Sequence, residues 1–145
     1  MTVKSNPDEW WMSTGDYAKR LKGLTINLLV RDVEANVPFH TQVLGAEAEY
    51  TCVDFASFAY NGTTWMLHAD HTYDNHPLHR SLKANLDRGI GCEIRLHGRS
   101  PDEACAAAER LGCKILQPAM DKPHGTREAF VFDPEGYLWC VDVTI

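Results

Sequence analysis

Apolar and polar residues alternate along Leu24–Val30. Ile26, Leu28 and Val30 share one side and Thr25, Asn27 and Leu29 the other, which predicts a strand. Asp32 then offers a side-chain cap to a helix over Val33–Leu44, closed by Gly45. Pro38 is awkward inside that helix, because proline removes a backbone donor, so either a kink there or a later helix start is expected. Short strands are predicted over Ala46–Cys52, Phe55–Tyr60 and Thr64–Ala69, the last two joined by the hairpin-turn pair Asn61-Gly62. The order then repeats. Gly91–His97 alternates, with Cys92, Ile94 and Leu96 against Glu93, Arg95 and His97. Pro101–Leu111 is alanine-rich, has Ser100 or Asp102 as its cap and ends at Gly112, so it reads as a helix. Lys114–Gln117 is a short strand, and a hairpin follows: Thr126–Phe132 and Tyr137–Val143 about the turn Asp133-Pro134-Glu135-Gly136. In its last strand Trp139, Val141 and Val143 share one side, and Leu138, Cys140 and Asp142 the other.

The pattern predicts an α+β fold: two tandem βαβββ modules forming a curved mixed sheet around a cleft. Residues 1–22 are an N-terminal extension, with a short helix from Ser13 to Lys22 and a Trp10-Trp11 pair expected to pack on the body or on a partner chain. Residues 23–144 form one domain: module one over 23–70, a polar, His-rich linker over 71–89 with a possible helix Pro77–Leu86, and module two over 90–144. Each sheet buries one face on its own helix. The other face of so small a sheet also needs cover, and two such faces meeting make a small-molecule cleft.

Composition narrows the function classes. The formal net charge of −6 leaves no basic surface to neutralise a row of phosphates, which argues against nucleic acid. No apolar run reaches the ~20 residues of a membrane span. The five cysteines are odd in number and lack CxxC spacing, which fits free thiols in a reducing cytoplasm. Neither a phosphate-binding glycine loop nor a nucleophile-elbow motif is present.

Three stretches resemble the vicinal oxygen chelate superfamily, which includes glyoxalase I, extradiol dioxygenases, fosfomycin-resistance enzymes and bleomycin-resistance proteins. They are Leu24-Thr-Ile-Asn-Leu-Leu-Val-Arg-Asp32, Phe39-His-Thr-Gln-Val-Leu-Gly45, and Pro123-His-Gly-Thr-Arg-Glu-Ala-Phe-Val-Phe-Asp-Pro-Glu-Gly-Tyr-Leu-Trp139. The Gly-x-Arg-Glu strand leading to Asp-Pro-x-Gly is most similar to the bleomycin-resistance-like branch. The resemblance implies paired modules around a cleft, and in metal-dependent members a His/Glu metal centre inside it. The matching positions here are Thr25, Met66, Cys140 and Gly91 or Cys92, which are not a ligand set for a hard or borderline divalent metal.

The expectation is therefore a metal-free protein without a cofactor that sequesters an aromatic or natural-product-like ligand, as antibiotic-resistance members do. It is expected to be a homodimer whose clefts are completed by both chains. The candidate ligand-binding residues are Asn27, Phe58, Tyr60, Met66, His68, Glu93, Arg95, His124, Phe130 and Cys140, with the aromatic rings as cleft lining and Asn27, Glu93, Arg95 and His124 as polar anchors. Trp65 and Trp139, at matching positions of the two modules, are read as core. His68, His71, His76 and His79 make the densest metal-like stretch, but without a fixed ligand spacing a polar linker with solvated imidazoles is the favoured reading. The alternative is a divalent-metal lyase, isomerase or dioxygenase with ligands displaced to His68, Glu93, His124 or Asp142, or a metal-free isomerase using Glu93 as base.

Overall fold

A computed structural model describes residues 11–84 and 87–145. Strands β1 (Ile26–Val30), β2 (Glu47–Thr51), β3 (Phe55–Tyr60) and β4 (Thr63–Ala69) form one sheet in the order β1-β4-β3-β2. Strands β5 (Glu93–His97), β6 (Ile115–Asp121), β7 (Thr126–Phe132) and β8 (Leu138–Thr144) form the second in the order β5-β8-β7-β6. In both sheets the first strand runs parallel to the last, and the other pairs are antiparallel. The helices are α1 (Thr14–Arg20), α2 (Val33–Pro38), α3 (His79–Ala84) and α4 (Pro101–Leu111). The repeated βαβββ order is thus present twice.

Three elements depart from the sequence reading. The helix after Asp32 is α-helical only to Pro38, and Phe39–Val43 winds on as a wider π-helical turn, with Leu44 N donating to Phe39 O at 3.1 Å. Pro38 supplies no N–H to the preceding turn, so the hydrogen-bond ladder is interrupted where the winding changes. Strand β6 runs on through Pro118 to Asp121, beyond the expected Gln117. It accommodates the proline because it is an edge strand with two register shifts against β7. The linker helix is shorter than expected, His79–Ala84, and Asn85 and Leu86 lie outside the described residues.

The core lies between the sheets and their helices. Leu28, Val30, Leu67, Ala129, Val131 and Val141 point inward from the strands onto Val33, Phe39, Val43, Ala104 and Ala108. Trp65 and Trp139 are buried, as expected, and touch across the module boundary at 5.5 Å between centroids. Beside them His40 is fully buried: it stacks on Phe58 at 4.7 Å, meets Trp139 edge-on at 5.5 Å, and accepts Trp65 Nε1–H at 3.0 Å. Burial pushes the His40 imidazole down to about 3, so it stays neutral.

Polar contacts fasten the modules as well. Arg99 donates to the carbonyls of Val43 and Gln42, both at 3.0 Å, locking the residue before α4 onto the end of the π-helical turn. Glu135, in the β7–β8 turn, accepts Arg31 N at 2.8 Å, Arg31 Nη1 at 2.6 Å and Asn36 Nδ2 at 3.3 Å. Tyr137 Oη donates to Leu29 O at 3.0 Å.

Candidate functional site

Strand pairing decides which residues face away from the helices. Across sheet one, Asn27 pairs with Met66 and Met66 with Ser57, while Leu29 pairs with His68 and His68 with Phe55. These side chains share the open face. Across sheet two, Arg95 pairs with Cys140 and Cys140 with Phe130, while His97 pairs with Asp142 and Asp142 with Glu128. Eight of the ten residues selected from the sequence are thus on open faces or beside them: Asn27, Met66 and His68 on sheet one, and Glu93, Arg95, Phe130, Cys140 and the loop residue His124 on sheet two. Phe58 and Tyr60 are corrected. Phe58 pairs with Trp65, which turns its ring onto buried His40, and Tyr60 packs against the same core.

The open face of sheet one is uncharged where β1 and β4 meet. His68 Nδ1 donates to Asn27 Oδ1 at 2.7 Å, and Asn27 Nδ2 donates to Tyr73 Oη at 2.6 Å. With its proton fixed on Nδ1, His68 keeps Nε2 as an acceptor, and Tyr73 keeps a hydroxyl proton to donate. Burial lowers the His68 imidazole to about 4, against an opposing pull from Asp54. Next to this trio a cavity of about 290 Å³ is lined by Asn27, Leu29, Leu78, Leu82, Arg88 and Tyr137, together with Ser81. A larger cavity of about 430 Å³ lies beside the β7–β8 turn, among Asp87, Ile90, Lys114 and Phe132 to Gly136, and none of the ten residues lines it.

The open face of sheet two is ionic. Arg95 donates to Glu93, to Glu128 at 2.8 Å and to Asp142 at 3.4 Å. His97 Nδ1 donates to Asp142 at 2.7 Å, and His124 Nε2 to Glu128 at 2.9 Å. Glu128 and Asp142 are buried beneath these donors. His124, Thr126 and Arg95 hold the Glu128 carboxyl down to about 2. Cys140 lies under Arg95, and burial raises its thiol to about 11, with Arg95 opposing, so it is neither an activated nucleophile nor a thiolate ligand.

The metal positions implied by the resemblance do not fit a divalent ion. Cys140 is a protonated thiol hydrogen-bonded to Glu128 with the Arg95 guanidinium beside it, and Met66 offers only a thioether. The displaced set does not gather either: His68 is on sheet one, while Glu93, His124 and Asp142 are engaged in the sheet-two network. Among the described residues no three His, Cys, Asp or Glu side chains form a metal-holding group. The linker histidines are dispersed, with His71 on Asp54, His79 near Asp74, and His76 accepting Leu78 N–H.

Tyr73, His97 and Glu128 were not among the selected residues, and Asp142 was named only as a displaced metal ligand. Alternation alone placed His97 and Asp142 on the right face, and the parallel β5–β8 pairing brings them together. Tyr73 lies in the linker, where no periodicity marks it.

The model of the Glyoxalase/Bleomycin resistance protein/Dioxygenase superfamily matches residues 24–141. The chain belongs to that superfamily. Its fold is similar to a glyoxalase-related enzyme from Fulvimarina pelagi (22% identity, 85% of this chain and 88% of that one, TM-score 0.63). It is similar also to FosX, a genomically encoded fosfomycin resistance protein from Listeria monocytogenes (19%, 86% and 95%, 0.62), and to TioX from Micromonospora sp. ML1 (20%, 86% and 99%, 0.60). At these identities the likeness is one of fold. No curated protein matches the sequence. No helix among the described residues is long and apolar enough to cross a membrane.

Proposed function

We propose that this superfamily member binds and sequesters an aromatic or natural-product-like small molecule without using a metal. The observation that carries this reading is the neutral Asn27–His68–Tyr73 trio, whose Asn27 lines the 290 Å³ cavity together with Leu29, Leu78 and Leu82. Apolar burial would supply affinity and the trio orientation. The donor set at the resemblance's metal positions supports the metal-free part. The fosfomycin resistance protein among its structural relatives supports a role in antibiotic tolerance. We further propose a cytoplasmic homodimer. The exposed Leu24, next to a groove lined by Ile26, Ile94 and Leu96, supplies apolar surface for a second copy. The free thiols of the described cysteines suit a reducing compartment.

Elemental analysis followed by calorimetric titration with aromatic natural-product antibiotics tests the reading. The expected result is substoichiometric metal and a binding compound whose affinity falls about tenfold in Asn27→Leu and His68→Phe, the loss of roughly one good hydrogen bond. Stoichiometric divalent metal on the purified protein would overturn it.

One observation favours a second reading, acid–base catalysis. His97 is exposed and is backed by buried Asp142, which fixes its Nδ1–H and leaves Nε2 as a base beside Arg95. Glu93 is the poorer base, since it is ion-paired to Arg95. Turnover that is lost in His97→Gln while ligand binding survives would select this reading.

A further inference from the structure

The open faces of the two sheets differ in what lies on them. Over the β2–β3 half of sheet one sits the chain's own N-terminal arm. Trp11 meets Tyr50 edge-on at 5.1 Å, and Tyr17 meets Phe55 edge-on at 5.2 Å. The Tyr17 and Ser57 hydroxyls are 3.3 Å apart, and Ser57 donates to Glu49 at 2.9 Å. Arg20 donates to the same carboxylate at 2.9 Å, with its guanidinium 5.4 Å from the Trp11 ring centre and 5.9 Å from that of Tyr17. The arm therefore presents two aromatic rings and a cation to a wall of two aromatic rings and a carboxylate.

The arm is lightly fastened. No residue of α1 is buried. Among the described residues Trp11 Nε1–H is enclosed without a hydrogen-bond partner. After α1 the chain turns extended at Leu21, and Gly23 takes a positive φ of 66°, which leaves a short joint between arm and β1. The covered wall also continues into the neutral trio, since Ser57 pairs with Met66 and Phe55 touches His68 at 4.9 Å.

We propose that Glu49, Tyr50, Phe55 and Ser57 form a subsite for a planar aromatic ring bearing positive charge, and that Trp11, Tyr17 and Arg20 occupy it as an intramolecular stand-in until such a ligand displaces them. This rests on the reading of the chain as a small-molecule binder and gives that ligand a charge and a shape. The aromatic wall takes the ring edge-on or offset, and the Glu49 carboxylate takes the cation, as it takes Arg20. The arm lowers the apparent affinity by the fraction of molecules in which it is seated, and thereby favours ligands that reproduce both of its features.

The test uses the full chain and two fluorescent probes of matched size, proflavine as the planar aromatic cation and anthracene carboxylate as the anion. Proflavine is expected to bind more tightly than the anion. The double variant Tyr17→Ala/Arg20→Met should tighten it about tenfold by removing the arm's cation from Glu49 and its ring from Phe55, and Glu49→Gln should remove the preference for the cation. Saturation with proflavine should also speed amide exchange in residues 14–20. If proflavine binds equally in the wild type and the double variant, with exchange in that segment unchanged, the arm is a permanent cover and the subsite proposal fails. Should Asn27→Leu still weaken binding in that case, the small-molecule reading stands without the subsite. If neither probe binds the wild type or the double variant, the subsite proposal fails, while the broader reading is judged on its own antibiotic titration.

Discussion

A single residue, His40, ties acid sensitivity to the core. Its imidazole is neutral because burial disfavours the charged form, and one nitrogen is committed to Trp65. The folded value of about 3 lies below the ordinary 6.5, so the unfolded chain binds the proton first as pH falls. The contribution of this group is complete above about pH 6.5 and is lost as pH drops toward 3. In His40→Phe that dependence should vanish, so urea unfolding between about pH 7 and 4 should vary less with pH than in the wild type. At neutral pH the same variant should be less stable by about 1–3 kcal/mol, because Trp65 Nε1–H loses its acceptor in a dry site. A wild-type-like slope in His40→Phe would place the acid sensitivity elsewhere.

At the scale of elements, the β7–β8 turn acts as a bolt between modules. Asp133 accepts the backbone N–H groups of Glu135 and Tyr137 and the Trp139 indole N–H, which sets the turn so that Glu135 reaches Arg31 and Asn36. Glu135→Ala removes the carboxylate that Arg31 and Asn36 share across the module boundary, while Arg88 keeps its pair with Asp70, and should cost about 1–3 kcal/mol in chemical denaturation. A loss near zero would mean that the apolar seam holds the modules without this bolt. Elements of this kind were legible in part. Alternation located β1, β5 and β8, and caps and turn pairs bounded the other strands. Phe58 and Tyr60 went to the wrong face because their strand is apolar on both sides, and only pairing to Trp65 fixes its register. The cleft-side network was invisible as a unit, since Arg95, Glu128 and Asp142 come from three strands far apart in sequence. The extension of β6 past Pro118 depended on its being an edge, a property of the sheet and not of the segment.

For the whole molecule, the two modules share one apolar interior. Trp65, Trp139, Phe39 and His40 meet at the boundary, and Arg99 clasps the opposite module. Neither module keeps that surface dry alone, so both should melt together. Calorimetric and van't Hoff enthalpies are expected to agree, and two resolved transitions would show independent modules. The outermost strands carry a further consequence. Strand β2 is kinked between Ala48 and Tyr50, and β6 is broken twice and carries a proline, so both flanks are poor rails for cross-β stacking. The straight rims that remain belong to β1 and β5, the opening strands of the two modules, each at one edge of its sheet. Growth into fibres is thereby discouraged at β2 and β6, and any backbone-to-backbone joining is left to β1 and β5.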